Sequence, residues 1–424
     1  MTLLLIAFLI LLMLKVPIAF SLFISSMLYF IVYDVSPIMA VQEIVSSVNA
    51  FSLLAIPGFI LAGTLMNSGG ITERIFDFAN KLVGHIRGGL GHANVFASLI
   101  FSGMSGAAVA DAAGLGKVEL QAMKKAGYSE KFSLAVTGAS SMVGPIIPPS
   151  IPAVIFGVTA SVSIGQLFIA GIIPGLIMAF AICVYIYFYA LKHRDTFPLP
   201  TKLSVKSIFH SFRHAFFALM SPVIILGGIM TGIVTPTEAA IVAVVYSIIL
   251  GAFYKSLTIR SFFESVRETM ETTISVMIIV AMAAVFGWIL ASEQAAQQLS
   301  MLLLDSINNK YIILLIITVI VLVVGMFMET IAAITILTPV LLPVVTQFGI
   351  DPIHFGIIMI LNLMIGLLTP PVGMVLYVLS AISNISFLEI SKMVLPYLIL
   401  LISILLIFTF VPGIVTFLPN FIFE

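Results

Sequence analysis

Charge is what this sequence has least of. Of its 424 residues 8% are charged and 61% hydrophobic, and mean hydropathy is +1.25. Soluble domains carry about a quarter charged residues, so this chain cannot cover a globular surface with polar groups. The 18 basic and 18 acidic residues cancel, which leaves no basic excess for nucleic acid. A single cysteine, Cys183, excludes an internal disulfide and reads as a small hydrophobe within an apolar run. There is no nucleophile elbow, P-loop or zinc motif, so the chain is not expected to be an enzyme or to hydrolyse ATP. Among the histidines only His210 and His214 share metal-ligand spacing, and their basic surroundings suggest a solvated surface.

What is present is apolar length. Runs such as Ile312–Met328 and Leu395–Val411 approach the ~20 residues needed to cross a bilayer core, so the chain is a polytopic protein of the lipid bilayer. The first residues have no basic region and no small-residue cleavage site, and are read as a retained membrane segment. Apolar segments near 103–149 and 325–371 are too short to span alone. They suit half-helices or hairpins that enter and return, which is tolerated only where protein or water satisfies the backbone.

Those two regions are in step at a constant offset of 222. Gly103 matches Gly325, Met104 matches Met326, Gly144 matches Gly366, Pro148-Pro149 matches Pro370-Pro371, and Pro174 matches Pro396. Each copy carries Gly-x-x-x-Pro-Pro, and glycine and proline interrupt helices. Paired interruptions in two hydrophobic halves point to a transporter substrate site. Two broken-helix repeats also suit alternating access better than a continuous channel. Proline frees carbonyls of the preceding turn, and the C-terminal end of a half-helix favours a cation. Ser140, Ser141, Asn362 and Thr369 add oxygens nearby. The polar stretch 192–214 is the natural linker between a first half, 1–191, and a second, 215–424. Its basic character suggests a cytoplasmic position. Lys117, Lys124, Lys125 and Lys131 mark a basic turn in the first copy; the matching Pro339–Ile353 has no Lys or Arg. That asymmetry argues for opposite orientations. The expected fold is an all-α polytopic membrane protein, an inverted repeat with two re-entrant helical hairpins and broken helices.

An ionisable residue inside the membrane is functional by default. Asp111 lies in a small-residue stretch with Ser102 and Ser105, where hydroxyl, carboxylate and carbonyl oxygens could hold a hard cation. The other reading of the stretch is close helix packing, its serines bonded to their own backbone; its place at the opening of the repeat favours the cation site. Glu329 occupies the corresponding region of the second copy, as a substrate or ion contact or as a buried hydrogen-bonding hub at a helix terminus. Neither acid is expected to be needed as a helix cap. Glu238, in Thr235-Pro-Thr-Glu, fits a capping box instead. Ser36-Pro37, Ser221-Pro222 and Asp351-Pro352 read as helix starts.

Ala55-Ile-Pro-Gly-Phe-Ile-Leu-Ala-Gly63, the run 106–114, Ile147-Pro-Pro-Ser-Ile-Pro152, Thr235-Pro-Thr-Glu-Ala-Ala240 and Gly366-Leu-Leu-Thr-Pro-Pro-Val-Gly373 together resemble the large, DctM-like membrane subunit of TRAP (tripartite ATP-independent periplasmic) transporters, along essentially the whole chain. The resemblance implies Na+-driven uptake of an organic anion, a sialic acid or a C4-dicarboxylate, across the bacterial inner membrane. It implies two partners, a small four-helix membrane subunit and a periplasmic substrate-binding protein, and an elevator motion of two hairpins against a scaffold. Carried onto this chain, one sodium site would use Ser102, Ser105, Asp111 and backbone around Gly144 and Pro148. A second would use Gly325, Gly366, Thr369 and Gly373, with substrate near Ser105, Ser150 and Glu329. Gly106-Ala107-Ala108 replaces the hydroxyl-bearing residues common in the family, so no ligand is assigned there. A carrier of the wider ion-transporter group that works without a binding protein is the alternative.

Overall fold

The computed structural model describes residues 2–106, 108–194, 197–199, 203–306, 309–383 and 385–423, without the side chains of 102–105, 110, 300 and 302–306. Every regular element among them is helical. The first copy comprises α1 (Thr2–Met13), α2 (Ile18–Val32), α3 (Pro37–Val48), α4 (Ala55–Ser68), α5 (Ile71–Val83), α6 (Gly89–Ser105), α7 (Ala108–Ala113), α8 (Leu115–Lys125), α9 (Glu130–Ser140), α10 (Ile151–Ala160) and α11 (Ile164–Lys192). The second comprises α12 (Val205–Met230), α13 (Pro236–Phe253), α14 (Ile259–Ser292), α15 (Ala295–Ser306), α16 (Lys310–Phe327), α17 (Thr330–Gln347), α18 (Pro352–Leu367), α19 (Met374–Ile382), α20 (Phe387–Phe410) and α21 (Pro412–Phe423). Eight helices among the described residues are long and apolar enough to cross a membrane, and α9 and α10 form one further pair bent by 40°.

The offset of 222 carries through the elements. α6 corresponds to α16, α9 to α18, α10 to α19 and α11 to α20, each within two residues at its start. α7 and α8 together match the single helix α17, whereas α3 and α4 match the two halves of α14. Packing is reciprocal. α4 lies on α13 and its counterpart α14 on α2; α9 lies on α20 and α18 on α11; α10 lies on α17 and α19 on α7. Such exchange of equivalent neighbours is the signature of a two-fold relation. A two-fold in the membrane plane would also produce the opposite orientations suggested by the lysines.

Local chemistry explains the helix starts. Thr235 and Glu238 form the expected capping box on α13, and the Asp351 carboxylate accepts from the His354 N–H at 2.8 Å at the start of α18. Ser221-Pro222 does not start a helix: Pro222 lies inside α12, as Pro174 does in α11 and Pro396 in α20. In a bilayer an interrupted helix would strand polar backbone groups, so apolar sequence on both sides keeps the helix going through proline. The basic stretch is likewise partly helical, since α12 begins at Val205. His210 and His214 are exposed there.

Two helices form the centre. Every residue of α18 from Ile353 to Leu367 is buried, as is every residue of α9 from Phe132 to Ser140. A helix apolar on all sides belongs inside, and both of these end at the Pro-Pro breaks.

Candidate ion and substrate site

In the second copy the break at 367–373 is built by backbone contact. A methyl carbon placed on Gly366 would lie 2.5 Å from the Gly325 carbonyl carbon and 2.7 Å from its Cα. Only two glycines let α18 and α16 approach so closely. Beyond the break, Gly373 (φ +55°) donates its N–H to the Met326 carbonyl at 3.3 Å, and Thr369 donates its N–H to the Gly366 carbonyl at 2.9 Å. The Thr369 hydroxyl is buried and donates to the Ile365 carbonyl at 2.7 Å, which leaves its lone pairs available. Gly325, Gly366, Thr369 and Gly373 therefore converge, and their donor atoms are oxygens of the kind hard cations take.

The first copy repeats this plan with different contacts. The chain leaves α6 through Gly106 (φ +62°), where a methyl carbon would sit 3.3 Å from the Pro149 carbonyl oxygen and 3.2 Å from the Ile151 nitrogen. On the other side, one on Gly171 in α11 would lie 2.2 Å from the Ile146 carbonyl oxygen. Gly144 opens a short 3-10 turn to Ile146, and Pro148 is buried beside it. The Pro148–Pro149 and Pro370–Pro371 bonds are both cis. Ser150 closes the break: its hydroxyl donates to the Pro145 carbonyl and accepts from the Ala153 N–H, which caps α10. The side chains of Ser102 and Ser105 lie outside the described residues.

The acids take distinct positions. Asp111 is buried in α7 and acts electrostatically on Glu119 of α8. Glu329 is half-buried and corrects an expectation: it caps α17, its carboxylate accepting from the Ile331 N–H at 2.8 Å and the Ala332 N–H at 3.3 Å. The sequence hid this because Ser, Thr, Asp and Asn are the usual caps, while the longer Glu reaches back less often. Glu329 remains at the α16–α17 junction, three residues from Met326 in the second break.

A polar cluster in the first copy went unseen in the sequence. The Asn94 amide donates to Glu119 at 2.7 Å and to the Thr137 hydroxyl at 2.8 Å, and Ser140 donates to the Asn94 carbonyl oxygen at 2.6 Å. All four are buried, and they come from α6, α8 and α9. Only the i, i+3 spacing of Thr137 and Ser140 on α9 hinted at a polar face. At the matching place of the second copy, Asn362 donates to the Thr318 carbonyl at 2.7 Å with no acid nearby in the sequence.

Comparison with known proteins agrees with this architecture. Residues 5–414 match the family described as the tripartite ATP-independent periplasmic transporter, DctM component. The chain is 46% identical over 406 residues to the sialic acid TRAP transporter large permease protein SiaM of Vibrio cholerae, covering 95% of each. It is 43% identical over 418 residues to the sialic acid TRAP transporter permease protein SiaT of Haemophilus influenzae, covering 98% of this chain and 68% of that one. The crystal structure of the YdaH transporter of Alcanivorax borkumensis shares the fold, with a TM-score of 0.64 at 13% identity over 90% of this chain and 89% of that one. A multi-pass helical membrane protein with a doubled, proline-broken core and matches of this extent has one assignment: the chain belongs to the DctM component of the tripartite ATP-independent periplasmic transporters, a family of membrane permeases and not of enzymes.

Proposed function

We propose that this chain is the large transmembrane subunit of a sodium-coupled importer of an organic acid, with sialic acid as its cargo. The observation that carries the proposal is the convergence of Gly325, Gly366, Thr369 and Gly373 at a broken helix, with a two-fold counterpart around Gly106, Gly144 and Pro148. Oxygen donors at a half-helix end suit Na+, and a second such place beside it suits coupling of ion to substrate. The cargo follows from SiaM and SiaT, both named as sialic acid permeases. In this reading a small four-helix membrane subunit and a periplasmic substrate-binding protein complete the transporter. The two hairpins move as an elevator against the helices outside them. Reconstituted with both partners, the chain should take up sialic acid, and uptake should collapse when Na+ is replaced by K+. Uptake indifferent to that exchange refutes the coupling.

A further inference from the structure

A cavity of about 320 Å³ is lined by residues of α4, α6, α7, α8, α10 and α14. α4 and α14 contribute Thr64, Asn67, Glu268 and Thr272, while α8 and α10 contribute Lys117 and Ile151. Ile151 follows Ser150 and touches Gly106, so the cavity reaches the first break. Its volume is at the lower end of the range of small-molecule sites, about 300–1,000 Å³.

The charges in this lining are few and come from different helices, Lys117 from α8 and Glu268 from α14. Among the described residues of the lining Lys117 is the one base and Glu268 the one acid, and no ion pair among the described residues engages either. Arg267, next in sequence to Glu268, is tied to Glu271 at 2.8 Å. Lys117 stands in the first turn of α8, whose N-cap, Gly114, provides no side-chain cap, so backbone N–H groups there add to its positive field. The Asn67 carbonyl oxygen accepts from the Thr72 hydroxyl at 3.2 Å, which leaves its amide N–H groups for another acceptor.

We propose that Lys117 and Asn67 bind the carboxylate of a monocarboxylic, hydroxyl-bearing acid in this cavity, and that Glu268 accepts its hydroxyls and rejects a second carboxylate. The proposal rests on the reading of the chain as an organic-acid carrier and assigns the residues that select its cargo. A C4-dicarboxylate needs a second cation, and here its far carboxylate would meet Glu268, so discrimination comes from repulsion as well as attraction. Thr64 and Thr272 offer hydroxyls along the remaining length of the cavity.

The test is ligand-induced thermal stabilisation of the detergent-solubilised complex with its small subunit. The probes are sialic acid, its carboxamide and succinate. Sialic acid should raise the melting temperature, while the carboxamide and succinate should not. Lys117→Gln should raise the half-saturating concentration of sialic acid roughly tenfold or more, the loss of one charge-assisted hydrogen bond. Lys117→Arg should keep most of the affinity, and Glu268→Gln should admit succinate. Asn67→Asp, which adds repulsion without touching Lys117, should weaken sialic acid as well. An unchanged response in Lys117→Gln, a wild type insensitive to sialic acid, or succinate binding as well as sialic acid would each overturn the proposal. Sodium dependence is read in the separate uptake assay, so failure of ion coupling leaves this result standing.

Discussion

Replacing Gly366 with alanine tests the second half-site most directly. The added methyl would lie 2.5, 2.7 and 2.8 Å from the carbonyl carbon, Cα and carbonyl oxygen of Gly325. Those neighbours are backbone and cannot rotate away, so α16 and α18 must separate by several tenths of an ångström or more. Overpacking of this kind costs about 1–3 kcal/mol, and an unyielding neighbour places Gly366→Ala near the upper end. The separation would also pull Met326 from the Gly373 N–H and shift Thr369 relative to Gly325. Gly325→Ala should be milder, since its contacts, Leu363 Cα and carbonyl oxygen and Gly366 Cα, lie at 3.1–3.3 Å. Gly227→Ala in α12 is the control: nothing lies within 4 Å, so the substitution should stabilise by up to about 1 kcal/mol through helix propensity. Melting temperatures in detergent should rank Gly227→Ala first, then wild type, Gly325→Ala and Gly366→Ala. The Na+ concentration for half-maximal uptake should rise most in Gly366→Ala. Equal melting temperatures for Gly366→Ala and Gly227→Ala would refute the close approach of the two helices.

Three further outcomes follow from the same geometry. Glu329→Ala should lose about 1 kcal/mol of stability as a cap, Glu329→Ser should retain it, and uptake lower in both would show a separate transport role for the carboxylate; normal uptake in the serine variant would confine Glu329 to capping. Gly171→Ala should destabilise more than Gly175→Ala, because its methyl meets the Ile146 carbonyl oxygen while that of Gly175 meets the movable end of Ile147; the reverse order in thermal denaturation would contradict the packing of α11 on the first break. Glu119→Leu strands one N–H of the Asn94 amide and should cost about 1–3 kcal/mol, whereas Glu119→Gln still accepts from it and should stay closer to wild type. Similar melting temperatures for those two variants would show that the Asn94–Glu119 bond contributes little.

The legible parts of this protein were those written in local chemistry. Glycine and proline act where they stand, so the breaks at 144–149 and 366–371, the capping box at Thr235 and the start of α18 at Pro352 could all be read from neighbouring residues. Helix continuity through Pro222 could not, because the bilayer decides it and not the residue pair. The Asn94–Glu119–Thr137–Ser140 cluster joins three elements separated by intervening turns, and no short motif marks such an assembly. Lys117 shows a different limit. Its place in a basic turn reads as an orientation signal, while only the fold reveals that it lines a cavity with residues of α4 and α14.

The reciprocal packing also sets an order of assembly. The first Pro-Pro break is complete in sequence by Ser150, yet α9 needs α20 to cover it and α10 needs α17. A ribosome making this chain must therefore insert the first copy with its central half-helix unshielded and wait for the second. Contacts that reach across so much sequence form late, because closing the intervening chain comes before any reward from the contact. Truncation after the linker should leave a first half that inserts but does not settle, whereas supplying the second half as a separate chain should restore the pair.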